Sequence, residues 1–234
     1  MLTYSNKEYI ELIRPIPKDW PLDIFGIPFI KKSNINISDL NNGKWLIGIN
    51  NVNRNDRNMS KKIVHSFKFD KELERFYSKP YFMLERVSGY YATATLDFSM
   101  DLKMKPAQII NATFKNRWIG MFLQTHGYEK VIVTVGWVDK DTYDICFAGI
   151  EDGCTLIIST LGVIQEGNSD LFIRGYKEMR RRFPNSQVIC VGKKLKGMDD
   201  DICYIPYKDT FGTKDKYSDV WQPHFLNWEL KEVD

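Results

Sequence analysis

The sequence predicts an α/β protein with a mainly parallel sheet covered by helices, arranged as an open doubly wound sheet or as a partial, distorted barrel. Three observations support this fold class. The chain of 234 residues is 43% hydrophobic, which supplies a sizeable core. Several short runs are apolar on both faces, as buried parallel strands are. Helical segments separate most of these runs, as connections between parallel strands require.

The first sixty residues are predicted to be an N-terminal extension with irregular strands. A short helix is expected at residues 5–14 and is ended by prolines. Residues 20–30 combine two prolines and a glycine with large apolar side chains, so they are expected to cross the core as extended chain. A strand is predicted at 44–50, and a loop rich in asparagine and basic residues follows it.

The α/β core is predicted to span residues 61–207. Its strands are expected to begin near residues 62, 91, 131, 156, 187 and 202. The helices between them are predicted at 70–89, with a break at Pro80, and at 106–126, 140–150 and 168–183. Pro106 occupies the helix position that tolerates proline, and Gly127 follows the expected helix end. Residues 208–234 are predicted to be a tail packed on the core, so that all three segments form one structural domain.

Composition and charge argue against several function classes. The net charge is only +3, from 33 basic and 30 acidic residues, which is too balanced to indicate nucleic-acid binding. No run approaches the ~20 apolar residues of a membrane helix, and the first residues do not resemble a signal peptide. A cytoplasmic protein without a membrane partner is therefore expected. The four cysteines show no CxxC spacing, so reduced thiols are expected rather than disulfides or a metal site.

Polar side chains follow the predicted parallel strands at their carboxyl ends, where α/β proteins bind ligands. Asp97 and Ser99 follow the strand near residue 91 and are the candidate catalytic residues. An ionisable group at such a place is hydrated, forms an ion pair or takes part in catalysis or binding. Asp97 therefore either caps the next turn or pairs with Arg117, or it serves as a general base or as a ligand of a divalent cation. The sequence indicates no other cofactor and no oligomeric state.

Candidate ligand-binding residues lie at the neighbouring strand ends and on the long helix. Ser159, Thr160 and Gly162 combine hydroxyls with a flexible backbone, as phosphate-binding turns do, although the motif is short and a plain turn is the favoured interpretation. Trp137 is suited to stacking on a base or a sugar, or to covering the end of the core. The full candidate set is Asn111, Arg117, Trp137, Ser159, Thr160, Gly162 and Lys193.

Several short motifs in a fixed order resemble a known family. LDFSM, NRWIG, VTVGW, STLG and GYKEM are similar to the core pattern of uncharacterised phage, plasmid and bacterial proteins known only as a domain of unknown function. The resemblance covers roughly residues 62–205. It implies a compact α/β domain often carried on mobile elements, with no established activity. Leu96 and Val191 depart from the usual pattern, which alters local packing and keeps the polar set.

Three functions are compatible with these features. The first is binding or hydrolysis of a phosphate-bearing ligand, a nucleotide or a nucleic acid, at the strand ends. The second is a non-enzymatic protein of a mobile element that binds or inhibits a host protein through the loop at 50–62 and the aromatic tail at 221–228. The third is DNA or RNA binding through basic side chains, namely Arg54, Arg57, Lys61, Lys62 and Arg180 to Arg182.

Overall fold

In the computed structural model, seven parallel strands form one sheet whose spatial order equals their order along the chain. The structure describes residues 6–38, 45–161 and 169–207, and the seven strands lie within those ranges. The strands are β1 (Trp45–Gly48), β2 (Lys62–His65), β3 (Ala92–Ala94), β4 (Val131–Thr134), β5 (Leu156–Ser159), β6 (Val188–Val191) and β7 (Cys203–Ile205). The sheet curls into a half-barrel. A doubly wound sheet has a point at which the strand order reverses, and this sheet has none. The partial-barrel form of the prediction is therefore confirmed, and the doubly wound form is not adopted.

The helices lie close to their predicted positions. They are α1 (Asn6–Ile13), α2 (Asp70–Ser78), α3 (Pro80–Val87), α4 (Pro106–Thr125), α5 (Tyr143–Cys146) and α6 (Ser169–Arg182). The segment predicted as a helix at 140–150 is helical only over the four residues of α5. β1, which lies in the predicted extension, pairs directly with β2 at the start of the predicted core. Within the described ranges, no helix is both long enough and apolar enough to cross a membrane.

Both faces of the sheet are apolar. Successive side chains of a strand point to opposite sides of the sheet, and in these strands both sets of side chains are hydrophobic. Val64, Val131 and Ile158 belong to the core shared with the helices. The alternate residues Ile63 and Ile132 belong to a second apolar cluster on the inner face of the half-barrel. This double burial explains why the strands appear in the sequence as continuous apolar runs.

The four cysteines have free thiols, as predicted. Cys146, Cys154 and Cys190 are buried, and Cys203 is half-buried. Burial raises the pKa of the Cys190 thiol to about 12 and that of Cys154 to about 11. These thiols therefore stay protonated at neutral pH and pack as small apolar side chains.

Helix α4 is the longest helix of the described residues and lies directly against the middle of the sheet. The Lys105 backbone N–H donates to Gln108 Oε1 at 2.8 Å, which satisfies one donor at the helix start. The helix ends before Gly127, which adopts a φ of +83°. At Gly120 an added Cβ would lie 2.6 Å from Ile30 Cδ1 and 2.7 Å from Thr95 Cγ2. The missing side chain therefore lets the helix approach β3 closely.

Replacing Gly120 by alanine is expected to destabilise the fold by about 1–3 kcal/mol, because the new methyl group overpacks two fully buried side chains. An alanine in a helix interior otherwise stabilises by ~0.5–1 kcal/mol. Chemical denaturation measures the change, with Asn111→Ala at an exposed position of the same helix as the control. A more stable Gly120→Ala protein would contradict close packing at this point.

Candidate functional site

The carboxyl ends of β2 and β3 bring two aspartates together, Asp70 and Asp97, which we call the carboxylate pair. Asp97 follows β3 and is half-buried, and Asp70 is the first residue of α2. Asp70 Oδ1 accepts hydrogen bonds from the Ser99 backbone N–H at 3.0 Å and from the Ser99 hydroxyl at 2.9 Å. The Asp97 backbone N–H donates to Ser66 Oγ at 3.1 Å. These bonds fix the loop after β3 against the loop after β2.

The environment of Asp97 changes its protonation. Burial raises the pKa of its carboxyl to about 7, and the negative charge of Asp70 contributes to the rise. Both protonation states are therefore populated near neutral pH. A carboxyl with this pKa can accept and return a proton under physiological conditions, which is the requirement for general acid–base catalysis.

Asn116 of α4 orients the backbone that carries Asp97. Its Nδ2 donates to the carbonyl of Leu96 at 2.7 Å and to the carbonyl of Thr134 at 3.1 Å. Its Oδ1 accepts from the Thr95 hydroxyl at 2.7 Å. The Leu96 carbonyl belongs to the peptide bond that precedes Asp97. Asn116 therefore links α4 to the ends of β3 and β4 directly beneath the carboxylate pair.

Arg117, a predicted ligand-binding residue, is fully buried beside Asn116, with 1% of its surface exposed. Its guanidinium donates to the carbonyls of Ala148 at 2.9 Å, Thr134 at 3.1 Å and Cys146 at 3.1 Å, and to Asn116 Oδ1. The ion pairs of the described residues do not include a pair between Arg117 and Asp97. Burial lowers the pKa of Arg117 to about 10, so the side chain remains charged at neutral pH. These bonds direct the guanidinium at the protein interior.

A small cavity lies between Asp97 and this network. Asp97, Asn116, Arg117 and Thr134 contribute to its lining. Its volume is about 10 Å³, which is room for about one water molecule. A larger ligand therefore reaches Asp97 from the solvent side of the rim and not from this cavity.

The hydrogen bonds and ion pairs of the described residues do not join three other predicted residues to the carboxylate pair. Asn111 is exposed on α4, and Lys193 is exposed after β6. Trp137 packs on α6, where a Cβ added to Gly175 would lie 2.1 Å from its Cδ1, and its ring centroid is 4.8 Å from that of Phe172. Trp137 thus covers the end of the core. The predicted residue Gly162 and the predicted tail at 208–234 lie outside the described residues.

The predicted hydroxyls at the end of β5 bond to the neighbouring strand segment. Ser159 Oγ donates to the Val191 carbonyl at 3.2 Å, and Thr160 Oγ1 donates to the Lys193 carbonyl at 2.9 Å. A Cβ added to Gly192 would lie 2.2 Å from Thr160 Oγ1, so glycine permits this close approach. Both hydroxyls connect β5 to β6, as a plain turn would use them. With β4 lying between, they are about 10 Å from the end of β3.

Five of the seven basic side chains that were predicted to contact nucleic acid form ion pairs with carboxylates, namely those of Arg54, Lys62, Arg180, Arg181 and Arg182. Arg180 contacts Asp199 at 3.1 Å and Asp201 at 2.8 Å. Arg182 contacts Asp144 at 2.6 Å and Glu178 at 2.8 Å. In the asparagine-rich loop, Arg54 pairs with Glu85 and Lys62 with Asp56. These acidic partners reduce the positive potential that nucleic-acid binding requires.

The loop after β2 supplies further residues near the carboxylate pair. The sequence motifs did not single these residues out. The segment HSFKFD supplies Ser66, Lys68 and Asp70, just as LDFS follows β3. The signal that points to them is their position at the carboxyl end of a parallel strand, where ligands bind in α/β folds. Across the described residues, no group of three or more His, Cys, Asp or Glu side chains is arranged to hold a metal ion.

Comparison with known proteins gives one family and two phage relatives. The family described as "Domain of unknown function (DUF4417)" matches residues 22–208. "Gene 1 protein" of Mycobacterium phage L5 is 36% identical over 139 residues, 58% of this chain and 59% of the relative. "Gene 1 protein" of Mycobacterium phage D29 is 33% identical over 138 residues, 58% of this chain and 50% of the relative. The matched part of the chain thus spans 59% of the length of one relative and 50% of the other. No solved structure matches it.

The raised pKa of Asp97 predicts a stability difference that depends on pH. The pKa is about 7 in the folded protein against an ordinary value of 3.8, so the stabilising contribution of the protonated carboxyl is complete below pH ~4 and is lost as the pH rises through 7. The side chain of Asp97→Asn is neutral at every pH and loses nothing in this range. The unfolding free energy of Asp97→Asn, relative to that of the native protein, is therefore expected to rise by about 1–3 kcal/mol from pH 4 to pH 8.

Chemical denaturation at both pH values measures this difference. Asp101→Asn is the matched control, because Asp101 lies in the same loop and is exposed. If the difference between Asp97→Asn and the native protein were the same at pH 4 and pH 8, the carboxyl would have an ordinary pKa.

Proposed function

This chain belongs to the family described as Domain of unknown function (DUF4417), as its motifs predicted, and we propose that it binds and hydrolyses a phosphate-bearing ligand at the carboxyl ends of β2 and β3. The observation that carries the proposal is Asp97, a half-buried carboxyl whose pKa lies at about 7 beside Asp70. Asp97 acts as the general acid–base, and Ser99 holds Asp70 in place. The family description names no activity, so the proposal rests on this geometry.

A divalent cation at the carboxylate pair fits this reaction. Mg²⁺ is commonly held by one or two carboxylates together with the phosphates of the substrate, rather than by a complete protein cage. Asp70 supplies one such carboxylate, which leaves the Asp97 carboxyl free to transfer the proton. Such a cation would neutralise Asp70 and the phosphate, so its binding and that of the ligand would reinforce each other.

Exposed apolar side chains favour a nucleotide over a simple phosphate ester. Phe69 directly precedes Asp70 and is 61% exposed, and Leu102, in the loop after β3, is 57% exposed. A solvated aromatic ring next to a phosphate site offers a stacking surface for a base. In this proposal Phe69 takes the stacking role, which was one of the two roles that the sequence left open for Trp137.

The alternatives have less support among the described residues. Binding of DNA or RNA through the basic clusters is weakened by their carboxylate partners. A non-enzymatic role against a host protein draws on the loop at 50–62 and on the tail at 221–228, and that tail lies outside the described residues.

Loss of the Asp97 carboxyl is expected to abolish hydrolysis. Asp97→Asn should lower kcat at least about 100-fold, because it removes the group that transfers the proton. The measurements are release of phosphate from a panel of nucleoside triphosphates and diphosphates, and formation of shorter fragments from oligonucleotides, in Mg²⁺. Asp101→Asn should retain the activity of the native protein. Chelation of Mg²⁺ should stop turnover by the native protein and by Asp101→Asn.

Two results would remove this proposal. One is turnover by Asp97→Asn equal to that of the native protein. The other is the absence of phosphate release and of ligand binding by the native protein across the whole panel, with and without Mg²⁺.

Removal of the exposed ring is expected to weaken nucleotide binding selectively. Phe69→Ala should reduce nucleotide affinity about 10- to 100-fold, as loss of one stacked base contact does, while the affinity for inorganic phosphate stays unchanged. Calorimetric titration measures both affinities. Ile24→Ala, which removes another exposed apolar side chain outside these loops, is the control. Equal losses for both ligands would assign Phe69 a purely structural role.

A further inference from the structure

His65, at the end of β2, carries a buried hydrogen-bond donor that has no acceptor among the described residues. The side chain is 1% exposed, and none of those residues accepts a hydrogen bond from its Nε2. Its Nδ1 accepts from the backbone N–H of Phe67 at 3.3 Å, which places the proton of the neutral ring on Nε2. Burial, together with the charge of Lys68, lowers the pKa of His65 to about 3. The ring is therefore neutral at physiological pH and presents a fixed N–H.

Lys68 and Gly48 border the same space as this N–H. A methyl group at Gly48 would lie 3.4 Å from Lys68 Nζ and 3.7 Å from His65 Nε2. It would also lie 2.9 Å from Lys68 Cε, so the lysine side chain lies across the glycine. The lysine stem is flexible, and its movement would open the space down to His65 while keeping the ammonium nearby.

The backbone of Gly48 does not need a glycine. Its φ is −65° and its ψ is 142°, which is extended chain open to any L-residue. The backbone conformation therefore does not require glycine at this position. The missing side chain instead leaves space above the backbone, next to Lys68 and His65. An unsatisfied N–H, an ammonium group and a bare backbone converge there, as in sites that bind an anionic oxygen.

We propose that Gly48, His65 and Lys68 form an anion subsite that holds a phosphoryl group of the ligand. This inference rests on the proposed function, because it names the groups that bind the phosphate of that ligand. Neutral His65 donates its Nε2–H to one oxygen, and Lys68 supplies the positive charge. The subsite replaces Ser159, Thr160 and Arg117, whose donors are directed at carbonyl oxygens.

The position of the anion subsite indicates the size of the ligand. Ser66, which accepts from the Asp97 backbone N–H, is the next residue after His65. The register pairs Val64 with Thr93, so His65 lies level with Ala94, three residues before Asp97. That offset corresponds to a separation on the order of 10 Å between the subsite and the carboxylate pair. A ligand with two or more linked phosphates, such as a nucleoside diphosphate or triphosphate, spans this distance.

Titration with inorganic phosphate, followed by the ¹⁵N resonances of the histidine rings, tests the subsite directly. In the native protein the His65 Nε2 resonance should shift with saturable phosphate binding, and acetate should not reproduce the shift. Gly48→Ala fills the space without backbone strain and should weaken phosphate binding about 10- to 100-fold, as loss of a charge-assisted hydrogen bond does. Gly89→Ala is the control, since its methyl would also meet a flexible side chain, that of Met59.

Two further variants separate the contributions of the ring and the charge. His65→Phe keeps a ring and removes the unsatisfied N–H, so it should fold at least as stably as the native protein and lose phosphate binding to the same extent as Gly48→Ala. Lys68→Gln should also weaken binding, whereas Lys71→Gln, which removes an exposed charge from α2, should not.

The result that overturns the subsite is phosphate affinity unchanged in both Gly48→Ala and His65→Phe, or a His65 resonance that does not respond in the native protein. The outcome for Asp97→Asn is separate. If Asp97→Asn loses turnover and keeps the phosphate response, both proposals stand. If it keeps turnover while Gly48→Ala loses phosphate binding, the catalytic assignment fails and the subsite remains.

Discussion

The burial of the Arg117 guanidinium constrains the centre of the molecule. Removing an ion of this size from water costs several kcal/mol unless polar groups replace the solvent. The carbonyls of Thr134, Cys146 and Ala148 and the amide of Asn116 supply that replacement. Because these acceptors come from β4, from α5 and the residues just after it, and from α4, the charge is satisfied only when all three elements are in place. Asn116 also bonds to Thr95 and to the Leu96 carbonyl, and so fixes the backbone that leads to Asp97.

The rim at the ends of β1, β2 and β3 contains side chains in environments that lower the stability of the fold. Asp97 is held where its ionised form is disfavoured, and His65 retains a buried N–H without an acceptor. Apart from His65, the described residues contain one other buried side-chain atom without a partner, Nε of Arg86. Proteins tolerate such unfavourable placements mainly where function requires them. Their concentration at neighbouring strand ends supports the site that we propose at this rim.

Much of the fold could be predicted because its signals are local. Each strand is a short apolar run, and α4 is bounded by Pro106 and Gly127, whose backbone preferences are fixed by their own chemistry. The site was less predictable. Helix α4 carries buried residues on most of its surface, so periodicity could not show that Asn116 faces inward while Asn111 is exposed. Nor does the sequence reveal that Trp137 packs against Gly175, because that contact joins segments far apart in the chain.

The sequential order of the strands has a consequence for how the protein is made. Each strand pairs with the strand that follows it in the chain, so every step of sheet formation closes a loop only one unit long. Topologies with such neighbouring contacts fold faster than those that join distant segments. During synthesis the sheet can therefore grow from β1 one strand at a time, and β3 already has a partner in β2 before α4 is complete. The rim that carries His65 and Asp97 belongs to this first-made half of the molecule.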